Sequence, residues 1–337
     1  MNFGSVLMLR FGKVGRDVLE EIVYKRLGRK RRDVVLGPAF GEDAGIVKIG
    51  SKHIVIACDP ITGAVEKIGW LSVYINANDI AVCGGEPRWF SPIILLPERY
   101  NKTHLEKIMD DMHKACLKLK VSIVTGHTEV TPGISHPIVA GQMAGPLVSM
   151  RPIRSGGGRV GDLIVMSKTA GIEGTAILAT DFRDKIKDKI PLEVLDKAAR
   201  YYEMVSVVEE AMSLAKRNIP TAMHDPTEGG VLGGVYEIAE ASRTSFIVYE
   251  EKIPVAKETE IICNTLKCDP LKLISSGVLL ATVPRENIKR LTKLEFKIIG
   301  ELRKKKYSNI LIRKDGSEEV VGEMVQDELW RLLTELR

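Results

Sequence analysis

The amino-acid sequence predicts an α/β protein, with α+β character, that is built from two domains. Its 337 residues exceed the size at which one hydrophobic core usually stops growing, roughly 250–300 residues. Short β-branched runs alternate with segments of helical periodicity in both halves of the chain. A stretch rich in glycine and arginine, residues 151–161, separates the halves. We therefore predict an N-terminal domain over 1–150, a C-terminal domain over 151–310 and a mostly helical tail over 311–337.

The N-terminal half is predicted to alternate helices and strands. Apolar residues at helical spacing predict a helix over 16–27 that ends at Gly28. A β-branched run predicts a strand over 53–58, with Asp59 at its C-terminal end. The remaining predictions are a buried helix over 68–82, a helix that starts at a capping box of Thr103 and Glu106, and a strand over 121–125 that leads into a loop at 126–129.

The C-terminal half is predicted to start with a strand over 163–166, which leads through a glycine loop into a helix of small residues. A long helix is predicted over 191–217 and another strand over 279–283. Leucines at helical spacing predict a short amphipathic helix over 325–336.

The composition excludes several classes of protein. With 45% hydrophobic and 28% charged residues, the chain is neither disordered nor collagen-like. Five cysteines, an odd number spread over a long chain, predict reduced thiols rather than a disulfide framework. The apolar runs are far shorter than the roughly 20 residues that a membrane helix needs, and no signal-peptide cleavage site follows the first residues. We expect a cytoplasmic protein with no membrane partner.

The net charge of +5 is small because 49 cations nearly balance 44 anions. Basic residues cluster at 25–32 and 303–306, as they do both at nucleic-acid interfaces and in solvated loops. No aromatic residues are interleaved for base stacking, so we favour solvated loops and expect no nucleic-acid partner. Gln142 and Gln326 are the only glutamines, and such scarcity of thermolabile amides is typical of a heat-adapted organism.

Acidic residues recur beside glycines or other small residues where predicted turns and strands end. They are Glu42 with Asp43, Asp59, Asp79, Glu129 and Asp225. A single aspartate in a turn is usually a helix cap or a turn former. Their recurrence favours convergence of several of them on Mg²⁺ and a polyphosphate, because carboxylates hold the hard cation and glycines let backbone N–H groups approach phosphate oxygens. The common nucleotide-binding motifs, G-x-x-x-x-G-K-[ST] and G-x-G-x-x-G, are absent. A nucleotide site in this chain therefore has to be built from other loops.

Five short motifs, in this order, resemble those of the aminoimidazole ribonucleotide (AIR) synthetase superfamily. They are Gly41-Glu-Asp-Ala-Gly45, Cys58-Asp59-Pro60-Ile61-Thr62-Gly63, Asn78-Asp79-Ile80-Ala81 followed by Gly84-Gly85-Glu86-Pro87, Gly126-His127-Thr128-Glu129, and Asp225-Pro226-Thr227-Glu228-Gly229-Gly230. Within the superfamily, the chain is most similar to the HypE group of hydrogenase-maturation proteins. That group shows M-x-D-P-T-x-G-G, as in Met223-His224-Asp225-Pro226-Thr227, and D-P-L, as in Asp269-Pro270-Leu271.

The resemblance implies a PurM-like two-domain fold whose N-terminal domain pairs with that of a second copy to close a β-barrel. It also implies a Mg²⁺-ATP site between the domains. The implied metal ligands are Glu42, Asp43, Asp59, Asp79 and Glu129. The implied cofactor-binding residues are Gly41, Asn78, Gly126, Thr128, Thr227, Gly229 and Gly230. The implied catalytic residues are His127, Asp225 and Lys13, with Lys13 reaching the γ-phosphate from the N-terminal segment.

The chain departs from the HypE pattern at several positions. HypE ends with a cysteine that receives a carbamoyl group, whereas the last cysteine here is Cys268, so we expect no cyanide-forming reaction. Glu42 replaces an aspartate, and Ser275-Ser276-Gly277 lies where HypE-like chains often carry an acid. His127 lies where HypE tends to carry an acid, and it is either a general base or phosphate partner, or a loop histidine bonded to backbone. The same two interpretations apply to His224.

The resemblance therefore implies an enzyme that uses ATP to phosphorylate or activate an oxygen of a small substrate, which the sequence does not identify. One alternative is a non-catalytic nucleotide-binding assembly protein that keeps the HypE dimer. Another is a phosphotransferase similar to thiamine-monophosphate kinase.

Overall fold

The computed structural model describes residues 12–291, 295–322 and 325–336. Two mixed β-sheets, each with helices packed against it, make up the described chain. The predicted α/β fold with two domains is confirmed. The N-terminal half contains α1 (Arg16–Val18), β1 (Val34–Leu36), β2 (Gly45–Ile49), β3 (Lys52–Ile61), α2 (Ile68–Val82), β4 (Trp89–Leu96), α3 (Lys102–Leu119), β5 (Ser122–Ile123), β6 (His127–Val130) and β7 (Ile138–Pro146).

The described strands of the N-terminal half form one sheet in the order β1-β2-β3-β7-β4-β5, and β6 also pairs with β4. The pairs are antiparallel except those of β4 with β5 and with β6. α2 packs on β3 and β7, and α3 covers α2 in turn. Along β4, Phe90 and Ile94 are buried, whereas Trp89 and Ile93 on the opposite face are exposed. The described residues thus leave an apolar strip on the outer face of this sheet.

The C-terminal half contains a second sheet in the order β14-β13-β10-β12-β8-β11-β9. Its elements are β8 (Leu163–Ser167), α4 (Ile172–Thr180), α5 (Arg183–Ile186), α6 (Leu192–Ala199), α7 (Val208–Lys216), β9 (Ala222–His224), α8 (Gly230–Ala241), β10 (Thr244–Tyr249), α9 (Lys257–Leu266), β11 (Leu280–Val283), β12 (Phe296–Lys304), β13 (Ile310–Ile312), β14 (Glu318–Val320) and α10 (Glu328–Leu336). The domain boundary predicted near residue 150 stays a prediction.

The predicted buried helix over 68–82 is confirmed as α2, and every one of its residues is buried. A helix with apolar and small residues on all sides is stable only when neighbours surround it. Here β3, β7, α3 and α7 all contact it. Gly69 permits the closest approach, because a Cβ atom there would overlap the carbonyl oxygen of Ile108 in α3.

Two helix predictions in the N-terminal half were wrong in their details. The helix predicted over 16–27 continues from α1 only as a π-helical turn, Leu19–Val23, and its apolar residue Leu27 is 50% exposed. An apolar stripe without a packing partner does not hold a short helix in water. The capping box of α3 is formed by Asn101 and His104, two residues earlier than predicted, because the Asn101 side chain accepts from the His104 N–H.

The loop predicted at 126–129 was also wrong, because residues 127–130 form β6 alongside β4. The strand predicted over 121–125 is short and covers only β5. All four residues of β6 are exposed, so alternation of buried and exposed residues, the usual signal of a strand, is missing there.

The long helix predicted over 191–217 is broken into α6, a 3₁₀ segment (Arg200–Met204) and α7. The break is explained by tertiary hydrogen bonds. The Asn78 side chain donates to the Val205 carbonyl oxygen and accepts from the Val207 N–H, at 2.8 and 2.9 Å. Lys168 donates to the Ser206 carbonyl oxygen. These bonds use backbone groups that a continuous helix would need for itself.

The tail predicted to be mostly helical was partly wrong. β13 and β14 extend the second sheet, and only α10 is helical. α10 does bury the predicted leucine face, with Leu329, Leu332 and Leu333 in the core. In the ranges that the structure describes, no helix combines the length and the apolar character that a membrane crossing requires.

We predict that Gly69→Ala lowers the free energy of unfolding by about 1–3 kcal/mol, because the added methyl group overlaps backbone that cannot move cheaply. The intrinsic gain of about 1 kcal/mol for alanine in a helix is outweighed. Chemical denaturation measures the change. The control is Gly37→Ala, whose Cβ would meet only Val34 Cγ1 at 3.6 Å, and a Gly69 variant as stable as this control would contradict the prediction.

Candidate active site

Three carboxylates from separate elements meet where the two sheets adjoin. Asp43 precedes β2, Asp79 lies in α2 and Asp225 follows β9 directly. Each offers an oxygen atom, and these atoms all lie within 4.8 Å of one another. Asp79 and Asp225 are buried. Residues from both halves of the chain therefore complete one acidic cluster.

Asp225 is the strongest sign that the cluster holds a cation. Both of its carboxylate oxygens are buried without a hydrogen-bond partner among the described residues. Burial, followed by the nearby Asp43, raises the pKa of Asp225 well above its usual range. Burial and Asp59 do the same to the pKa of Asp79. A set of carboxylate oxygens that repel one another, with no donor to Asp225 among the described residues, fits Mg²⁺, which prefers oxygen ligands.

His224 lies between two carboxylates beside the cluster. Its Nδ1 lies 2.7 Å from Asp43 Oδ1, and its Nε2 lies 2.8 Å from Glu237 Oε2. Burial by itself lowers the pKa of His224, but Asp43 and Glu237 outweigh it and raise the pKa to about 10. Each ring nitrogen thus faces a carboxylate. The sequence left open a general base or phosphate partner and a loop histidine bonded to backbone, whereas the contacts indicate a third role, an imidazolium that orients Asp43.

Lys13 lies next to the ion pair of His224 with Glu237. Its Nζ is 3.4 Å from Glu237 Oε1, and its backbone N–H donates to Glu228 Oε2 at 2.8 Å. Desolvation lowers the pKa of Lys13, whereas Glu237 and then Asp59 raise it, and the net effect is upward. Burial raises the pKa of Glu237, but Lys13 and His224 bring it down to about 2. The ammonium group therefore stays charged at the edge of the cluster.

Glu42, the other member of the predicted acidic pair, points to a different partner. Its Oε1 accepts from Arg154 Nε at 3.0 Å, and its Oε2 is buried without a hydrogen bond among the described residues. Next to it, Ser155 Oγ donates to Asp43 Oδ2 at 2.9 Å. Arg154 and Ser155 belong to the glycine-rich stretch between the halves, which sequence reasoning treated only as a linker.

Asp59 lines a cavity of about 350 Å³ beside the cluster. Asn76 of α2 orients its backbone, because Asn76 Oδ1 accepts from the Asp59 N–H at 2.9 Å and Nδ2 donates to its carbonyl oxygen at 3.1 Å. Burial raises the pKa of Asp59 to about 6, with Lys13 opposing and Asp43 adding to the rise. Asp59 therefore connects the acidic cluster to the open space.

The glycine-rich loops predicted to bind the cofactor adopt left-handed backbone. The φ angles are +79° at Gly41, +82° at Gly229 and +62° at Gly230. A Cβ at Gly229 would lie 2.7 Å from the Val325 carbonyl oxygen, so the loop also packs too closely for a side chain. The Gly229 N–H already donates to Asp327 Oδ2 at 2.7 Å, and Thr227 lines the cavity.

Several predicted site residues lie elsewhere or are already engaged. The Asn78 side chain is used by its bonds to residues 205 and 207. Gly126 packs against Pro92. Thr128 is exposed on β6, as are His127 and Glu129, whose Nε2 and Oε2 lie 3.0 Å apart. These β6 residues neither line the cavity nor join the described cluster. Their proposed catalytic and metal roles stay predictions.

Sequence reasoning missed several residues of the cavity. Glu173, Glu228, Asp327 and Trp330 line it, and they come from α4, the Asp225–Gly230 loop and the start of α10. Glu228 lies inside a recognised motif and could have been singled out. The other three carry no local signal, because only the packing of distant segments brings them together.

The chain belongs to the AIR synthase related protein family. The pattern of the family's N-terminal domain matches residues 41–147, and that of its C-terminal domain matches residues 159–312. The predicted resemblance to this superfamily is confirmed.

The chain is similar to several proteins of known name. A putative hydrogenase expression/formation protein of Methanocaldococcus jannaschii is 31% identical over 83% of this chain and 82% of its own length. The carbamoyl dehydratase HypE of Rhizobium leguminosarum is 29% identical over 73% of this chain and 70% of its own. The thiamine-monophosphate kinase of Pyrococcus abyssi is 28% identical over 78% and 83%.

Solved structures show the same fold. The hydrogenase maturation protein HypE in complex with ATP superposes with a TM-score of 0.70 and 21% identity, over 95% of this chain and 98% of that one. A chain of the HypE–HypF complex superposes with a TM-score of 0.71 and 22% identity, over 91% and 99%. At this identity the likeness establishes the fold alone, which is the predicted PurM-like fold of two domains.

We predict that Asp225→Asn raises the free energy of unfolding of the metal-free protein by about 1–3 kcal/mol and abolishes stabilisation by Mg²⁺. The first effect follows from removing a buried charge without a partner, and the second from removing a ligand. Thermal unfolding with and without Mg²⁺ measures both. Asp188→Asn, at an exposed position, is the control. A destabilised Asp225 variant that still responds to Mg²⁺ would refute this assignment.

Proposed function

We propose that this protein is a Mg²⁺-ATP-dependent enzyme that phosphorylates or otherwise activates an oxygen atom of a small substrate. One observation carries the proposal: Asp43, Asp79 and Asp225 form a largely buried oxygen-only cluster beside a cavity that Asp59 and Lys13 line, and the Asp225 carboxylate has no hydrogen-bond partner among the described residues. Transfer of a phosphoryl group depends mainly on positioning and on neutralising charge, and this arrangement supplies both signs of charge.

Each residue has a distinct task in the proposed mechanism. The three clustered carboxylates would hold Mg²⁺, which neutralises phosphate charge when bound. His224 fixes Asp43 through its ion pair and so keeps the cluster in place. Lys13 carries a positive charge at the cavity edge, where it would bind a phosphate oxygen. Asp59 faces the cavity and would orient the attacking group.

The relatives support nucleotide binding but do not determine the reaction. One related structure is described as HypE in complex with ATP, and another as a thiamine-monophosphate kinase homologue complexed with AMPPCP and TMP.

We propose a cytoplasmic setting, in keeping with the five cysteines, all of them free thiols. A non-catalytic assembly role is the alternative, since one related structure is a HypE–HypF complex. Thiamine-monophosphate kinase activity is a further candidate, because the sequences of relatives with that name align with most of this chain.

We also propose that two copies of the chain pair through the outer face of the N-terminal sheet. The exposed fractions of Trp89 and Ile93 there are 40% and 46%. Both residues lie on the same face of β4, opposite the buried Phe90 and Ile94. A contiguous apolar face of this kind marks an interface more often than free surface.

Asp59→Asn is expected to abolish Mg²⁺-dependent ATP turnover while leaving the fold intact. The substitution removes the charge that faces the cavity but keeps the size of the side chain. Phosphate release measures turnover, first without an added acceptor and then over a panel of amides, carboxylates and phosphomonoesters that includes thiamine monophosphate.

Asp184→Asn is the matched control, because the Asp184 side chain is 89% exposed and lies outside the cavity. Unchanged turnover in the Asp59 variant would remove Asp59 from the site. ATP binding by calorimetry without turnover on any acceptor would support the non-catalytic alternative, and no heat with ATP and Mg²⁺ would refute the proposed function.

Ile93→Asp is expected to convert a dimer into a monomer, because a carboxylate on the exposed face of β4 would be buried without a partner in the interface. Sedimentation equilibrium measures the mass. Val320→Asp is the control, since Val320 is 63% exposed on β14, at the far edge of the other sheet. A wild-type protein that sediments as a monomer would contradict the pairing.

A further inference from the structure

The wall of the cavity contains a carboxyl group that has no role in the proposed phosphoryl transfer. Glu173, in the first turn of α4, is 4% exposed and lines the cavity together with Ser276 and Ile177. Ser276 Oγ donates a hydrogen bond to Glu173 Oε2. Oε1 has no hydrogen-bond partner among the described residues. A buried carboxyl with one free oxygen in the wall of a cavity marks a place for a donor from outside the chain.

Two other acidic residues of the cavity each receive two hydrogen bonds. Asp327 accepts from the N–H groups of Gly229 and Leu329, both at 2.7 Å. Glu228 accepts from the Lys13 N–H at 2.8 Å and from Trp330 Nε1 at 3.1 Å. Glu173, which is buried, receives a single one among the described residues, from Ser276.

The balance of charge in the cavity is negative. Asp59, Glu173, Glu228 and Asp327 all line it, whereas Lys13 is the one basic residue among its described lining residues, and its ammonium group faces Glu237. Burial raises the pKa of Glu173 to about 7, although its bond from Ser276 opposes the rise and Glu228 and Asp59 add to it. A positive charge placed beside Glu173 would offset this desolvation and repulsion.

We propose that the second substrate carries a nitrogen-centred positive charge, which pairs with Glu173 at the Ser276 side of the cavity while the reacting oxygen points to the Asp59 side. This inference rests on the proposed function and specifies its substrate class. The indole of Trp330 lines the same cavity and offers an aromatic surface of the kind that attracts ammonium and heterocyclic cations. An anionic substrate would meet four acidic residues on the cavity wall, and Lys13, the one basic residue among the described lining residues, is assigned here to the phosphate of the nucleotide.

Calorimetry on the intact protein tests the proposal with choline, agmatine and thiamine as probes. Each titration is made with and without Mg²⁺ and a non-hydrolysable ATP analogue. The uncharged control ligand is 3,3-dimethylbutan-1-ol, which has the shape and hydroxyl group of choline without its charge. At least one cation is expected to bind, and the uncharged isostere is not.

Glu173→Gln is expected to weaken binding of that cation at least tenfold, because the side chain keeps its size but loses its charge. Glu173→Asp, which keeps the charge on a shorter side chain, should recover part of the affinity. Glu193→Gln is the matched control, since the Glu193 side chain is 80% exposed on α6, and it should bind as the wild type does.

Three results would overturn the proposal: no binding of any cation, equal binding of the isostere, or undiminished binding by the Glu173→Gln variant. The failure of the proposed function is a separate result, namely no binding of the ATP analogue with Mg²⁺. Glu173-dependent cation binding without nucleotide affinity would keep the cation site and reject the phosphoryl transfer.

Discussion

The removal of carboxylates from water is the constraint on which the centre of this protein depends. Asp43, Asp79 and Asp225 stand together at low solvent exposure, where each charge raises the cost of the next. The chain compensates only part of that charge, through the imidazole of His224 and the ammonium of Lys13. The uncompensated remainder is concentrated at Asp79 and Asp225. A site with this uncompensated negative charge can bind a divalent cation, and the same charge lowers the stability of the metal-free protein.

The same polar groups that form the site also hold the two halves of the chain together. Asn78 of α2 binds backbone of the segment before α7, and Ser155 binds Asp43. Glu228 joins the N-terminal segment at Lys13 to α10 at Trp330. Because the bonds of Asn78, the bond of Ser155 to Asp43 and the bond of Glu228 to Lys13 are made across the junction, the geometry of the acidic cluster and the packing of the two sheets depend on one another.

Much of the fold and part of the site were predictable from the sequence. Continuous apolar runs identified α2, β3, β8 and β11, and the spacing of leucines identified the buried face of α10, because burial leaves a local pattern of apolar residues. The short glycine-flanked acidic motifs identified Asp43, Asp79 and Asp225, since residue type and neighbours are both local. The break between α6 and α7 was not predictable, because it depends on bonds from Asn78, far away in the chain.

The sequence by itself determined the family, the two-sheet architecture and the chemical character of the site, since these follow from local patterns and residue types. Only the tertiary structure decided which acids meet, that His224 is clamped between two carboxylates, and that His127 and Glu129 lie on an exposed strand. It alone brought Glu173 from α4 to the same cavity as Asp59. The physical reason is that an ion pair or a cavity joins residues distant in the chain, and desolvation acts on a group only after those neighbours surround it.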